Sequence, residues 1–226
     1  MTEQVRPDLV ISGMGSASGG EYGKVMIEGT AKVRGDLSCE TIHVSGLVTV
    51  QGSINAAKFE MHGKFTGIGS LRADTAAIEG HANLRGRLQG DDITVHGVLK
   101  LQGDCEAERF TAHGGFAIQG LLNAGTIDIG LKGRGEASEI GGETIHVQRM
   151  DRQSGRGLLK RLIPAFNPHL TTGTIEGDEV QLEATTAEIV RGNRVYIGAG
   201  CKIGRVEYRT ELIVHPDAKV TEKLKN

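Results

Sequence analysis

Residues 40–56 read ETIHVSGLVTVQGSINA and residues 91–107 read DDITVHGVLKLQGDCEA. The second stretch is the first displaced by three steps of 17, and the steps between them keep the same register. Counted from Val25, one apolar position recurs as Ile42, Phe59, Ala76, Ile93 and Phe110. Two residues on runs a second row: Ile27, Val44, Met61, Ile78, Val95 and Ala112. Glycine follows in every unit, from Gly29 to Gly114, and again six residues later, from Gly35 to Gly120. Of the 36 positions in the six apolar rows, 34 are apolar, and the exceptions, Gly67 and Gly90, are both glycine.

Within a unit the apolar residues alternate with polar ones at period 2, the spacing of strands that bury one face. Three short strands per unit, with glycines at two of the three corners, make one triangular coil. Stacked coils pair their strands in parallel about 4.8 Å apart, and each row becomes a ladder down a solid apolar core. The expected fold is all-β: a right-handed parallel β-helix, or solenoid, of 17-residue triangular coils. Left-handed hexapeptide solenoids place a small residue directly after the aliphatic one, whereas here glycine falls two residues later. One stretch dissents: Ile197-Gly198 and Ile203-Gly204, six residues apart, locally imitate the hexapeptide pattern.

Outward from this core the pattern changes. Residues 1–21, with the run SGMGSASGG, read as a flexible N-terminal arm. The solenoid is expected over 22–147, although the seventh unit, begun by Ile127 and Ile129, decays in LKGRGEASEIGG before Ile145 and Val147 resume. Residues 148–172 form a basic amphipathic insertion. Read as a short helix, it gathers Leu158, Leu159, Leu162 and Ile163 on one arc and Lys160 and Arg161 on the other, with Arg156 before and Phe166 after. Such a segment suits a cover over the coils, an anionic membrane surface or a docking helix for another protein. The 17-residue step returns over 173–220, aligning Val180, Ile197 and Val214, and residues 221–226 read as a polar tail.

Composition narrows the function. The net charge is −2, aromatics are 4% and Trp is absent, which argues against nucleic acid as a partner. The 34 glycines and 4 prolines are about twice the usual glycine share of roughly 7%, without the proline of collagen. Cys39, Cys105 and Cys201 are far apart and fall in inward rows, which reads as inert thiols in a reducing compartment. The opening MTEQVRPDLVISGMG lacks a basic and then apolar leader, so a cytoplasmic protein is expected, peripheral to the inner membrane face if the insertion docks there.

No catalytic constellation emerges, and no enzyme activity, nucleotide, cofactor or metal is expected. Gly13-Met14-Gly15 lacks the following Lys-Ser/Thr of a phosphate loop. His62, His96 and His113 share an outward row, but Glu28, Ser45 and Glu79 in that row make it a solvated face. Glu40, Asp74, Asp91, Asp92 and Glu108 gather along one corner beside Lys58 and Arg109, as a charged edge that keeps the rod soluble or as a binding stripe for a basic partner.

The repeated units resemble the bactofilins, bacterial polymer-forming cytoskeletal proteins, and the arm DLVISGMGSASGGEYGKVMIEG resembles that of a longer Firmicutes subgroup. The resemblance implies a self-polymerising scaffold: filaments formed without nucleotide by end-on association of solenoids, organising envelope, cell-shape or appendage-assembly machinery. Its partners would be further copies of itself, an anionic membrane surface, and envelope or appendage-assembly proteins. The arm carries Glu3, Arg6, Pro7 and Asp8, too polar for the family's hydrophobic membrane motif. Unpaired coil edges then supply the polymer contacts: Val25, Ile27 and Val33 at one end, Leu212, Val214 and Val220 at the other. The alternative function is a left-handed hexapeptide-repeat acyltransferase.

Overall fold

In the computed structural model, which describes residues 6–150 and 168–226, the apolar rows become the interior of stacked parallel coils. Two units can be distinguished, Met1–Glu108 and Arg109–Asn226. The first contains β1 (Leu9–Val50), β2 (Ile54–Gly67), β3 (Leu71–Leu84), β4 (Leu88–Val95) and β5 (Val98–Leu101). β6 (Cys105–Ala112) crosses the boundary. The second contains β7 (Gly115–Leu131), β8 (Arg134–Arg149), β9 (His169–Leu182), β10 (Thr185–Ile197), β11 (Lys202–Val214) and β12 (Lys219–Lys225).

From the pairing of β1 with β2 onward, the first unit keeps a step of 17. Ile42 lies beside Phe59 and Val44 beside Met61, and these continue to Ala76 and Ile78 and to Ile93 and Val95. Every one of these side chains is buried, and each aliphatic or aromatic residue so buried contributes about 1.5–3 kcal/mol. Phe59 and Phe65 meet edge to face at 5.2 Å inside one coil, as Phe110 and Phe116 do at 5.9 Å. At the corner after the second glycine row, side chains bridge coils where backbone pairing is interrupted. Asp36 Oδ1 accepts from Ser53 N at 2.7 Å, Ser53 Oγ from Ser70 N at 3.3 Å, and Ser70 Oγ from Arg87 N at 3.1 Å.

Residues 9–21, expected as a flexible arm, instead belong to β1 and form a further coil. Gly23 N donates to Pro7 O at 3.0 Å, and Lys24 N donates to Asp8 Oδ1 at 2.8 Å, a separation of 16 residues. Gly13 and Gly19 extend the two glycine rows: a Cβ on Gly29 would meet Gly13 O, and Gly35 lies against Gly19. The coil was hidden because its step is 16 rather than 17, and because only Leu9, Ile11 and Ala17 turn inward, each half-buried. The expected tail at 221–226 is likewise a correction. It lies largely in β12, where Lys219 to Lys225 pair with Lys202 to Tyr208, and Arg205 Nε holds Glu222 at 2.7 Å.

In the second unit the rows persist while the step drifts. Ile127 pairs with Ile145 and Ile129 with Val147, a step of 18, so the stretch that looked like decay is folded as β8 with Ala137 and Ile140 buried. Val180 pairs with Val195, and Ile197 with Leu182 on one side and Val214 on the other. The expected alignment of Val180 with Ile197 is therefore two residues off. Irregularities at Ile118/Leu121 and Gly192/Arg194 absorb the changes in step at corners. β8 ends at Arg149 and β9 begins at His169, which narrows the expected insertion from both sides. Its residues Arg156, Leu158, Leu159, Lys160, Arg161, Leu162, Ile163 and Phe166 lie outside the described residues.

Candidate polymer interface

A solenoid must end in a coil with one unpaired edge, so the residues of the two end coils are the candidates for self-association. At the N-terminal side the expected residues are not the end. Val25, Ile27 and Val33 are 2%, 0% and 0% exposed, packed under the coil of residues 9–20. Among the described residues the outermost row there is Leu9, Ile11 and Ala17, half-buried, with Val10 and Met14 exposed beside it. Arg6 and Glu21, 3.4 Å apart, flank this coil.

At the other side, Leu212, Val214 and Val220 are half-buried beside Ala218, while Ile213 and Leu224 are exposed. These are the inward positions of the last described coil. β12 pairs with β11 and, among the described residues, with no other strand. Lys223, opposite the buried Val206, puts a charge where the earlier coils carry an aliphatic residue.

Other candidates form no reactive centre. Among the described residues no group of three or more His, Cys, Asp and Glu side chains is placed to hold a metal ion. His62 Nδ1 lies 2.9 Å from Glu79, and His96 and His113 also have partners. Lys58, hydrogen-bonded to Glu60 at 2.6 Å, holds that carboxyl below its ordinary value. The three cysteines are buried and unpaired. Burial pushes the Cys39 thiol up to about 11 and raises those of Cys105 and Cys201 as well, with Glu106 adding to the effect at Cys105.

These thiols give a pH dependence with a defined sign. A thiol whose folded pKa is raised stabilises the fold below the unfolded value near 9, and that contribution is lost as pH climbs toward 11. The urea midpoint is expected to fall across this window. A triple variant with Cys39, Cys105 and Cys201 replaced by alanine, though less stable at neutral pH, should show a visibly shallower fall.

Parallel coils with ladders of identical inward rows, closed by half-apolar end edges, define a β-solenoid built for repetition. Residues 3–89 match the family model of bactofilin, described as polymer-forming cytoskeletal, so the resemblance read from the repeats is shown over that stretch. Two proteins of Bacillus subtilis (strain 168) are similar. YhbF is 39% identical over 110 residues, 46% of this chain and 41% of that protein. YhbE is 42% identical over 106 residues, 46% of this chain and 43% of that protein. The similarity thus spans less than half the length of each relative. No solved structure matches the chain. No helix among the described residues is long and apolar enough to cross a membrane.

Proposed function

We propose that this protein is a cytoplasmic, self-polymerising cytoskeletal scaffold whose solenoids associate end to end into filaments without nucleotide. The observation that carries this reading is the match of residues 3–89 to a polymer-forming cytoskeletal family. The half-buried rows at Leu9, Ile11 and Ala17 and at Leu212, Val214 and Val220 support it, since stacking a second copy on either would complete their burial. The role is structural rather than catalytic, and the organisation of envelope, cell-shape or appendage-assembly machinery is the work such a filament would do. The segment around Leu158–Ile163 and Phe166, with Arg156, Lys160 and Arg161, is a second place for docking, on a membrane or on another protein.

The acyltransferase alternative is not favoured. The family matched over residues 3–89 is described as polymer-forming cytoskeletal, not as a transferase. Negative-stain electron microscopy of the purified full chain, with and without ATP or GTP, tests the proposal. Filaments of equal length in both conditions support it. Only discrete particles at all concentrations, or filaments that require nucleotide, reject it.

A further inference from the structure

We infer that one flat face of the first unit is a docking surface for an anionic lipid bilayer. The face lies between the two glycine corners of each coil. It carries the outward positions that alternate with the buried row of Ala31, Val48, Phe65, Ala82 and Leu99 and with its neighbour row. Register places Leu47, Lys64, His81 and Val98 in one ladder, and Thr49, Thr66, Asn83 and Lys100 in the next. Arg34, Gln51, Ile68, Arg85 and Gln102 form the third, as the amides of the last four donate to Val33, Val50, Gly67 and Leu84.

The charges on this face are segregated by sign. Lys32, Arg34, Lys64, Arg85 and Lys100 are on it, all exposed, and none of the unit's aspartates or glutamates is. Those five cations make no ion pair among the described residues. On the other two faces and their corners both signs occur, and several cations are paired: Lys58 with Glu60, His62 with Glu79, Arg87 with Asp104. A face kept only for solvation has no reason to exclude one sign, and the rest of the unit mixes both.

Shape and apolar content select the occupant. The five ladders' worth of strand spacing from Met14 to Lys100 spans about 24 Å, and the face is about 13 Å across. A parallel sheet of that size meets a bilayer plane on several cations at once. Leu47 and Met14 are 54% and 90% exposed there, on the rim of a shallow groove with Lys32, Lys64 and Thr66. Their side chains can enter the headgroup region while the cations meet phosphates, the combination that interfacial binding requires. No Phe, Tyr or Trp lies on the face to stack a base, which favours a lipid surface over nucleic acid. The groove is also open and lined in part by Thr30, Thr49 and Thr66, which suits a surface better than an enclosed small ligand.

The test is co-sedimentation of the full chain with vesicles of equimolar phosphatidylcholine and phosphatidylglycerol, against vesicles of phosphatidylcholine alone. The face variant is Lys32→Glu, Lys64→Glu and Lys100→Glu together; the control reverses Lys58, Arg72 and Arg87, the same charge change on other surfaces. Each basic residue near an anionic surface contributes measurably, so the face variant should lose about tenfold or more of its partition onto anionic vesicles. The control should stay within about twofold of the parent. Circular dichroism confirms that both are folded, and electron microscopy reports filaments separately, so a failure of polymerisation is not mistaken for a failure of docking. Equal loss in face variant and control, equal binding to neutral vesicles, or stronger binding of parent to duplex DNA than to anionic vesicles overturns the inference. So does retained binding in the face variant with loss in Leu162→Glu, which would place the membrane contact in the inserted segment. A change in filament bundling with vesicle binding intact would instead make the face a contact between copies.

Discussion

Replacing Gly80 by valine is expected to destabilise the fold by more than about 3 kcal/mol, whereas Thr94→Val should change it by no more than about 0.5 kcal/mol. Two independent costs meet at Gly80. Its φ is +120°, a backbone conformation that a β-branched residue tolerates poorly. A Cβ there would also sit 2.3 Å from the Gly63 carbonyl oxygen, a backbone atom held by its own coil. Gly97 separates these costs. Its φ is not in the left-handed region, yet a Cβ would lie 2.1 Å from Gly80 O. Gly97→Val should therefore be costly through overlap alone, and less so than Gly80→Val. Thr94 points outward beside Ala77 and meets no such barrier. Urea unfolding of the three variants checks the order. Equal midpoints at Gly80 and Thr94 would overturn the assignment of the glycine ladder to the coil corners.

The rows of the first unit were legible because a solenoid repeats its environment. Ile42, Phe59, Ala76 and Ile93 occupy the same place in successive coils, so one chemical requirement is written again at each step of 17. That redundancy is what a single sequence rarely supplies. It fails where the step changes. The first coil was missed because Gly13 and Gly19 precede Gly29 and Gly35 by 16, and because an end coil needs fewer apolar residues than an interior one. A step of 17 sets Val180 against Ile197, whereas it pairs with Val195, since the chain between them is shortened at a corner that no side-chain pattern marks.

The outermost rows of the described coils were half legible for the same reason. Leu212, Val214 and Val220 continue the apolar rows into the last described coil, where the structure leaves them half-buried. The 17-residue rows begin with Val25, Ile27 and Val33, because the coil that buries them carries too few apolar residues to extend the pattern. The charge segregation on the flat face was present in the sequence but not visible as a run. Lys32, Lys64 and Lys100 are far apart along the chain, and only the coil register brings them onto one surface.

The burial of Ile27 changes what a charge there should do. Ile27→Lys is expected to cost about 4 kcal/mol or more and to abolish the β signature, because an ammonium would sit at 0% exposure with no acidic partner in its row. Ile11→Lys and Val214→Lys lie on the two end coils, where the side chain is half-buried and the ammonium can reach water. These two should keep the fold, at a cost of about 1 kcal/mol, yet stop filament growth, because stacking a second coil would bury the charge against an apolar row. Circular dichroism and electron microscopy read the two effects separately. Each end variant is expected to remain folded and to cap filaments, so that mixing a small fraction with the parent shortens the polymers. If Ile11→Lys and Val214→Lys both polymerise as the parent does, the contacts run along the sides of the coils, and the end-on arrangement is wrong. If Ile27→Lys remains folded and alone blocks assembly, residues 9–20 detach from the coil they cover, and the true end of the stack is the Val25 row after all.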